Sequence, residues 1–201
     1  MATVTSVPPE PARAAEVCKR YEPRPEARRL LREDLSSEEY TALLVEQHRE
    51  GDAVEFLAHE LTARQAVWWG CLCAWEAARP DPRRPEPDSL AAAVRWVEDS
   101  GEDNRLRAEA AGRADPDTPA GCVALAAART GGSVAPPDCP VVPPGPFLPA
   151  RTVSSAVRLA AAVAAPNNLA EKLRLYLRIG REVADGLLPW EASARRPVAV
   201  R

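Results

Sequence analysis

Two histidines, a closely spaced pair of cysteines and two adjacent tryptophans are the residues of this 201-residue chain whose types could do chemistry. Cys71 and Cys73 sit in the run Leu61–Arg79 beside Trp68 and Trp69, with His48 and His59 just upstream. Metal binding is the first chemistry to weigh. Residues two apart on a helix are turned about 200° from one another, so the two thiols point to opposite sides. Their spacing is also not the Cys-x-x-Cys of zinc and redox sites. Buried, inert thiols are the better reading. A nucleophilic pair such as Cys71 with His59 could be assembled in space, but no local signature raises a nucleophile, and Gly-x-Ser-x-Gly is absent. Carboxylates such as Glu38, Glu39, Glu46, Glu98 and Asp99 read as helix caps and solvated faces. Arg129-Thr130-Gly131-Gly132-Ser133 follows a helix and leads into proline, which makes it a helix end rather than a phosphate cradle. Trp68 and Trp69 could stack a base or a sugar, yet at helical spacing among leucine and cysteine they read as core. No catalytic, metal or cofactor-binding residue is assigned, and no cofactor is expected.

Charge is no more specific. The net charge is −3, close to neutral, which argues against a partner held by phosphate neutralisation. Lys19 and Lys172 are the only lysines. With the high alanine and proline content, so many arginines read as GC-rich codon usage. One arginine stripe stands out: Arg174, Arg178 and Arg181 on the last helix could meet an acidic partner, although Glu171 and Glu182 on the same helix are placed to pair with them.

The elements that position these residues are helices. Apolar residues make up 46% of the chain but aromatics only 5%, so alanine and leucine must do most of the packing. No alternating run of β-formers lies between turn signals, so no sheet is expected. Residues 1–12 read as a disordered N-terminus, 13–188 as one helical domain, and 189–201 as a disordered tail. Ser36 with Glu39 forms a capping box, Gly51 closes that helix, and Asp52 caps the next. Thr62 caps the tryptophan-rich helix, which Pro80 stops. Apolar residues on more than one flank mark it as the central helix, with Trp68, Leu72 and Trp75 buried. Thr118-Pro119 starts a further helix that Gly131-Gly132 ends. The fold class is all-α: an irregular bundle or helical stack of about seven to nine helices.

The segment 133–149 is different. Dense in proline, it is neither helix nor central strand, and polyproline II is its natural conformation. Its apolar side chains suggest that it drapes over the helical body and buries some of them. Val134, Pro136, Pro137, Val142, Pro143, Pro144 and Phe147 are candidate contacts for another protein, together with Arg174, Arg178 and Arg181.

Two stretches carry a resemblance. Arg64-Gln65-Ala66-Val67-Trp68-Trp69-Gly70-Cys71-Leu72-Cys73-Ala74 is one; the other is Thr130-Gly131-Gly132-Ser133-Val134-Ala135-Pro136-Pro137, continuing to Val142-Pro143-Pro144. In both, the chain resembles a family of uncharacterised bacterial proteins known as a domain of unknown function, over roughly residues 35–187. Such proteins are similar to accessory components of bacterial type VI secretion clusters, which implies an assembly or adaptor role and no catalytic residue. No stretch reaches the ~18 apolar residues of a membrane span, the start lacks the features of a secretory signal, and five cysteines is an odd number, so a reducing cytoplasm is the expected location. The function expected is that of a non-catalytic adaptor or chaperone binding another protein, with no nucleic acid and no membrane. The alternative is an enzyme or small-molecule binder with a pocket beside residues 62–79.

Overall fold

The computed structural model describes residues 13–78, 87–135 and 138–188. Ten helices occupy them: α1 (Ala14–Cys18), α2 (Pro25–Leu30), α3 (Ser37–Glu46), α4 (Glu50–Glu60), α5 (Ala63–Ala78), α6 (Asp88–Glu98), α7 (Glu102–Ala114), α8 (Pro119–Ala128), α9 (Leu148–Ala164) and α10 (Leu169–Ala184). The described residues contain no strand or sheet, only one isolated antiparallel bridge between Arg13 and Ser36. Ten helices stand against about seven to nine expected; among the shortest is α2, which Pro25 starts in its first turn.

Caps set several boundaries. Ser36 Oγ accepts from the Glu39 amide and Glu39 returns a bond to the Ser36 amide, the reciprocal box. Thr62 and Gln65 do the same for α5. The turn between α3 and α4 differs from expectation. Gly51 lies inside α4, and the left-handed residue is His48, at φ 56°. The Arg49 amide reaches back to the Leu44 carbonyl at 2.8 Å, closing the turn in the manner of a Schellman motif. Asp52 is therefore no cap. It is buried in the first turn of α4, where the Arg24 and Arg49 guanidinium groups each approach it to 3.6 Å.

Long side chains close other helix ends from outside. Arg20 donates to the His59 carbonyl at the end of α4. Arg64 reaches the Val97 and Glu98 carbonyls at the end of α6, and Arg105 the Ala128 carbonyl at the end of α8. The last helical carbonyls have no partner within their own helix, and a cation complements the negative end of the dipole. Three arginines are thus fixed by geometry, whatever the codon usage behind them.

α5 is the central helix, packed against α6, α8, α9 and α10. Trp69 is fully buried, and its indole N–H donates to the Tyr176 carbonyl on α10 at 2.8 Å. That approach requires Gly180, where a Cβ would meet Leu57 Cδ2 and Trp69 Cε2 at 2.7 Å. Trp68 is also buried and donates to the Leu188 carbonyl at 2.7 Å. Trp75, expected in the core, is 40% exposed, and Leu72 is only half-buried. Gln65, Leu72 and Trp75 lie on the least covered side of α5, where Trp68, on the same side, is covered through its bond to Leu188. An almost wholly apolar helix does not announce which of its stripes faces water. Val163, near the end of α9, and Leu169, at the start of α10, are exposed as well. One continuous core runs from Ala14 and Val17 in α1 to Val183 in α10.

Candidate interaction loop

The second of the two distinctive stretches builds a loop. α8 begins on Thr118, whose Oγ1 accepts from the Gly121 amide, with Pro119 in its first turn. At its other end Thr130 Oγ1 donates to the Ala127 carbonyl. Gly132 then takes a φ of 73°, with the Arg105 guanidinium against it. That guanidinium is held on every side. It makes two bonds to Glu102, at 2.7 and 2.8 Å, another to Glu109, and the bond to Ala128. Glu102 raises the Arg105 pKa further, so the charge is permanent.

Ser133 ties the loop that follows. Its Oγ accepts from the Ala135 and Val142 amides, each at 3.1 Å, and the Val134 amide donates to the Val142 carbonyl at 2.8 Å. The chain leaves at Val134 and is caught again at Val142. At the far end Pro146 and Phe147 form the turn into α9, which starts at Leu148 with Pro149 in its first turn; the extended segment therefore ends at Gly145, four residues earlier than predicted. The Phe147 ring lies 6.2 Å from the imidazole of His59, and Tyr21 stacks on that imidazole at 4.4 Å.

The loop is anchored, yet its side chains are not put away. Val134, Val141, Val142 and Phe147 are all exposed, Val141 at 77%. The expectation that the segment buries some of its apolar side chains holds only at its end, where Leu148 is half-buried and Pro149 buried. Between Val134 and Val142 the anchors are backbone amides and one serine hydroxyl rather than apolar contacts. Pro143 is exposed and Pro144 half-buried. Pro136 and Pro137 lie outside the described residues.

The arginine candidates are elsewhere and mostly engaged. Arg174 makes two bonds to the buried Glu50 carboxylate on α4, at 2.6 and 2.9 Å. Arg181 bonds both oxygens of Glu60 on α4. The partners are therefore on the neighbouring helix, not Glu171 and Glu182, because α10 packs its arginine side toward α4. Arg178 is exposed.

The other chemistry-bearing residues sit in packed surroundings. Cys71 and Cys73 are buried with Trp68 and Trp69. Burial, with Glu76 and Cys71 nearby, pushes the Cys73 thiol up. Cys18 is buried, Cys122 half-buried and Cys139 exposed, and no disulfide joins any of the five. Among the described residues no three His, Cys, Asp or Glu side chains gather as a metal site would require. His59 is buried, and its Nδ1 must donate to the Glu55 carbonyl at 2.8 Å, since a carbonyl only accepts. Its Nε2 has no hydrogen-bond partner among the described residues. An open cleft of about 590 Å³ lies away from α5, lined by Glu22, Pro23, Arg24, Pro25, Arg28 and Arg29. No described helix is long and apolar enough to cross a membrane.

Sequence reasoning missed Ser133, Arg105 and Arg64, the residues that hold these elements in place. A serine directly after a Gly-Gly helix end was the available sign. The arginines left no sign, since their acceptors are backbone carbonyls 23 to 34 residues away.

A family model matches residues 40–184, from within α3 to the end of α10. The chain belongs to the family of unknown function DUF6931. Neither the curated proteins nor the solved structures offer a match. In this DUF6931 member the two distinctive stretches divide the work. Arg64, Trp68 and Trp69 each bond to another part of the fold and Gln65 caps its own helix through Thr62, which makes the first stretch scaffold. The second shapes and pins the loop. The matched region contains the loop and all of α4 to α10, while α1 and α2 precede it.

Proposed function

We propose that this DUF6931 protein is a non-catalytic adaptor that docks another protein through the loop 133–147. The observation that carries the reading is the contrast within that loop. Its backbone is pinned at Ser133 and Val142, while Val134, Val141, Val142 and Phe147 stand in solvent. Ordering a loop costs conformational entropy, and that cost is already met here before any partner arrives. The family resemblance adds a setting, an accessory part of a type VI secretion machine, in which the partner is a component of that assembly. The odd number of cysteines supports a cytoplasmic location.

A photo-crosslinking residue placed at Val141, in the native host, tests the reading. A discrete adduct is expected from that position and none from Leu106, an exposed apolar residue on α7 that serves as control. If position 141 gives no adduct beyond that at 106, the loop is not a docking site.

A further inference from the structure

We infer that residues 140–146 are a preformed polyproline II ligand, read by an aromatic-lined groove on the partner protein. The inference rests on the docking role of the loop and names what fits it. Proline fixes its own φ near −65° and drives the residue before it into the extended region. In Cys139-Pro140-Val141-Val142-Pro143-Pro144-Gly145-Pro146 every residue except Val141 is a proline or precedes one. The segment carries no helix or turn between Pro140 and Gly145, and Pro146 opens the turn in which the Leu148 amide bonds the Gly145 carbonyl.

A polyproline II helix has three residues per turn, so it presents three edges. Pro140, Pro143 and Pro146 share one, and all three are exposed. Val141 and Pro144 share the second. Val142 and Gly145 share the third; the Val142 amide and carbonyl bond Ser133 and Val134 while its side chain stays exposed, and Gly145 faces open space. The segment is thus held by backbone groups of one residue, and those bonds leave all three prolines of the first edge exposed. From Pro140 to Pro146 the run spans about 19 Å at the rise of this helix, room for two successive proline pockets. Such an edge fits between aromatic rings, whose flat faces take a rigid pyrrolidine, with indole or phenol donors for the carbonyls that the helix leaves unbonded. No charge lies between Asp138 and Arg151, so apolar contact carries the binding and its salt dependence is small.

The test uses the full chain against a set of purified WW and SH3 domains, whose grooves have this chemistry. At least one domain is expected to bind. The triple variant Pro140→Ala, Pro143→Ala, Pro146→Ala should bind it tenfold or more weakly at an unchanged melting temperature, and Pro144→Ala on another edge should lose less. A synthetic peptide of residues 139–147 should compete. Binding to no domain, or equal binding by the triple variant, overturns the inference. If the Val141 crosslink nevertheless forms in the host, docking by the loop stands and only its polyproline reading is lost; if neither appears, both are lost.

Discussion

A methyl group at Gly132 would sit 2.6 Å from Arg105 Nη2, on a backbone at φ +73° that L side chains rarely adopt. An arginine tip would ordinarily swing aside, but this one is tied to Glu102, Glu109 and the Ala128 carbonyl. Gly132→Ala should therefore lose at least the ~1–2 kcal/mol of a left-handed non-glycine residue, measured by urea unfolding. A neutral result would mean that Arg105 is less firmly held than its bonds imply. His59 gives a second prediction at this scale. Burial holds its pKa below the ordinary 6.5, with Arg20 and Arg151 adding to the depression and the Glu55 carbonyl and carboxylate opposing it. Tyr21 and Phe147 cover the ring without offering charge. The unfolded chain thus takes up a proton that the folded chain resists. Stability from the neutral ring is full above about pH 6.5 and is lost as pH falls through the depressed folded value. Thermal melts from pH 7 to 5 should decline more steeply for the wild type than for His59→Phe, which cannot take a proton. Parallel declines would place the acid sensitivity in the carboxylates alone.

At the scale of elements, α10 is docked by Trp69 of α5 together with its own buried Leu173, Tyr176 and Leu177. The indole fills the space beside Gly180 and bonds a carbonyl of the opposing helix, so its removal leaves both a cavity and an altered helix contact. Trp69→Ala should cost about 3–5 kcal/mol, with Trp75→Ala well below that despite the equal change in composition. Equal losses would show that the least covered side of α5 has been misplaced. This pair also marks the limit of what was legible. That residues 61–79 form the central helix followed from its apolar flanks, and the caps at Ser36, Thr62 and Thr118 followed from local hydrogen-bonding chemistry. Trp68 faces inward as expected, but that Trp69 is the fully buried one while Trp75 is exposed was not legible. Trp68, Trp69 and Trp75 all stand among apolar neighbours, and only the positions of α9 and α10 decide between them. The same holds for His48, whose left-handed turn was assigned to Gly51 because glycine is the usual sign of such a backbone. The loop was legible as proline-rich and extended, but its exposure depends on hydrogen bonds that the Ala135 and Val142 amides donate to Ser133, which no composition reveals.

At the scale of the whole molecule, the family match and the folded body do not share a boundary. The match begins at residue 40. Yet Ala14, Val17, Ala27 and Leu35 are buried in the common core, and the Tyr40 hydroxyl donates to the Ala27 carbonyl at 2.7 Å. Tyr40 also meets Phe56 edge to face at 5.0 Å. A chain beginning at residue 40 would leave these surfaces of α3 and α4 uncovered. It should melt well below the full chain and bind a hydrophobic dye, as exposed core does. A shortened chain with the full melting temperature would show that α1 and α2 add no stability.

The distribution of thiols turns the loop into its own reporter. Cys139 stands exposed one residue before Pro140, whereas Cys18, Cys71 and Cys73 are buried and Cys122 is half-covered. A maleimide dye should therefore label Cys139 first, with the buried three reacting only as the body opens. Mass spectrometry of the labelled peptides checks the order. The native chain then carries a fluorophore at the edge of its proposed docking segment, with no substitution made, and occupancy of the loop becomes a change in colour or anisotropy. In one tube, fast labelling times the loop and slow labelling times the breathing of the core.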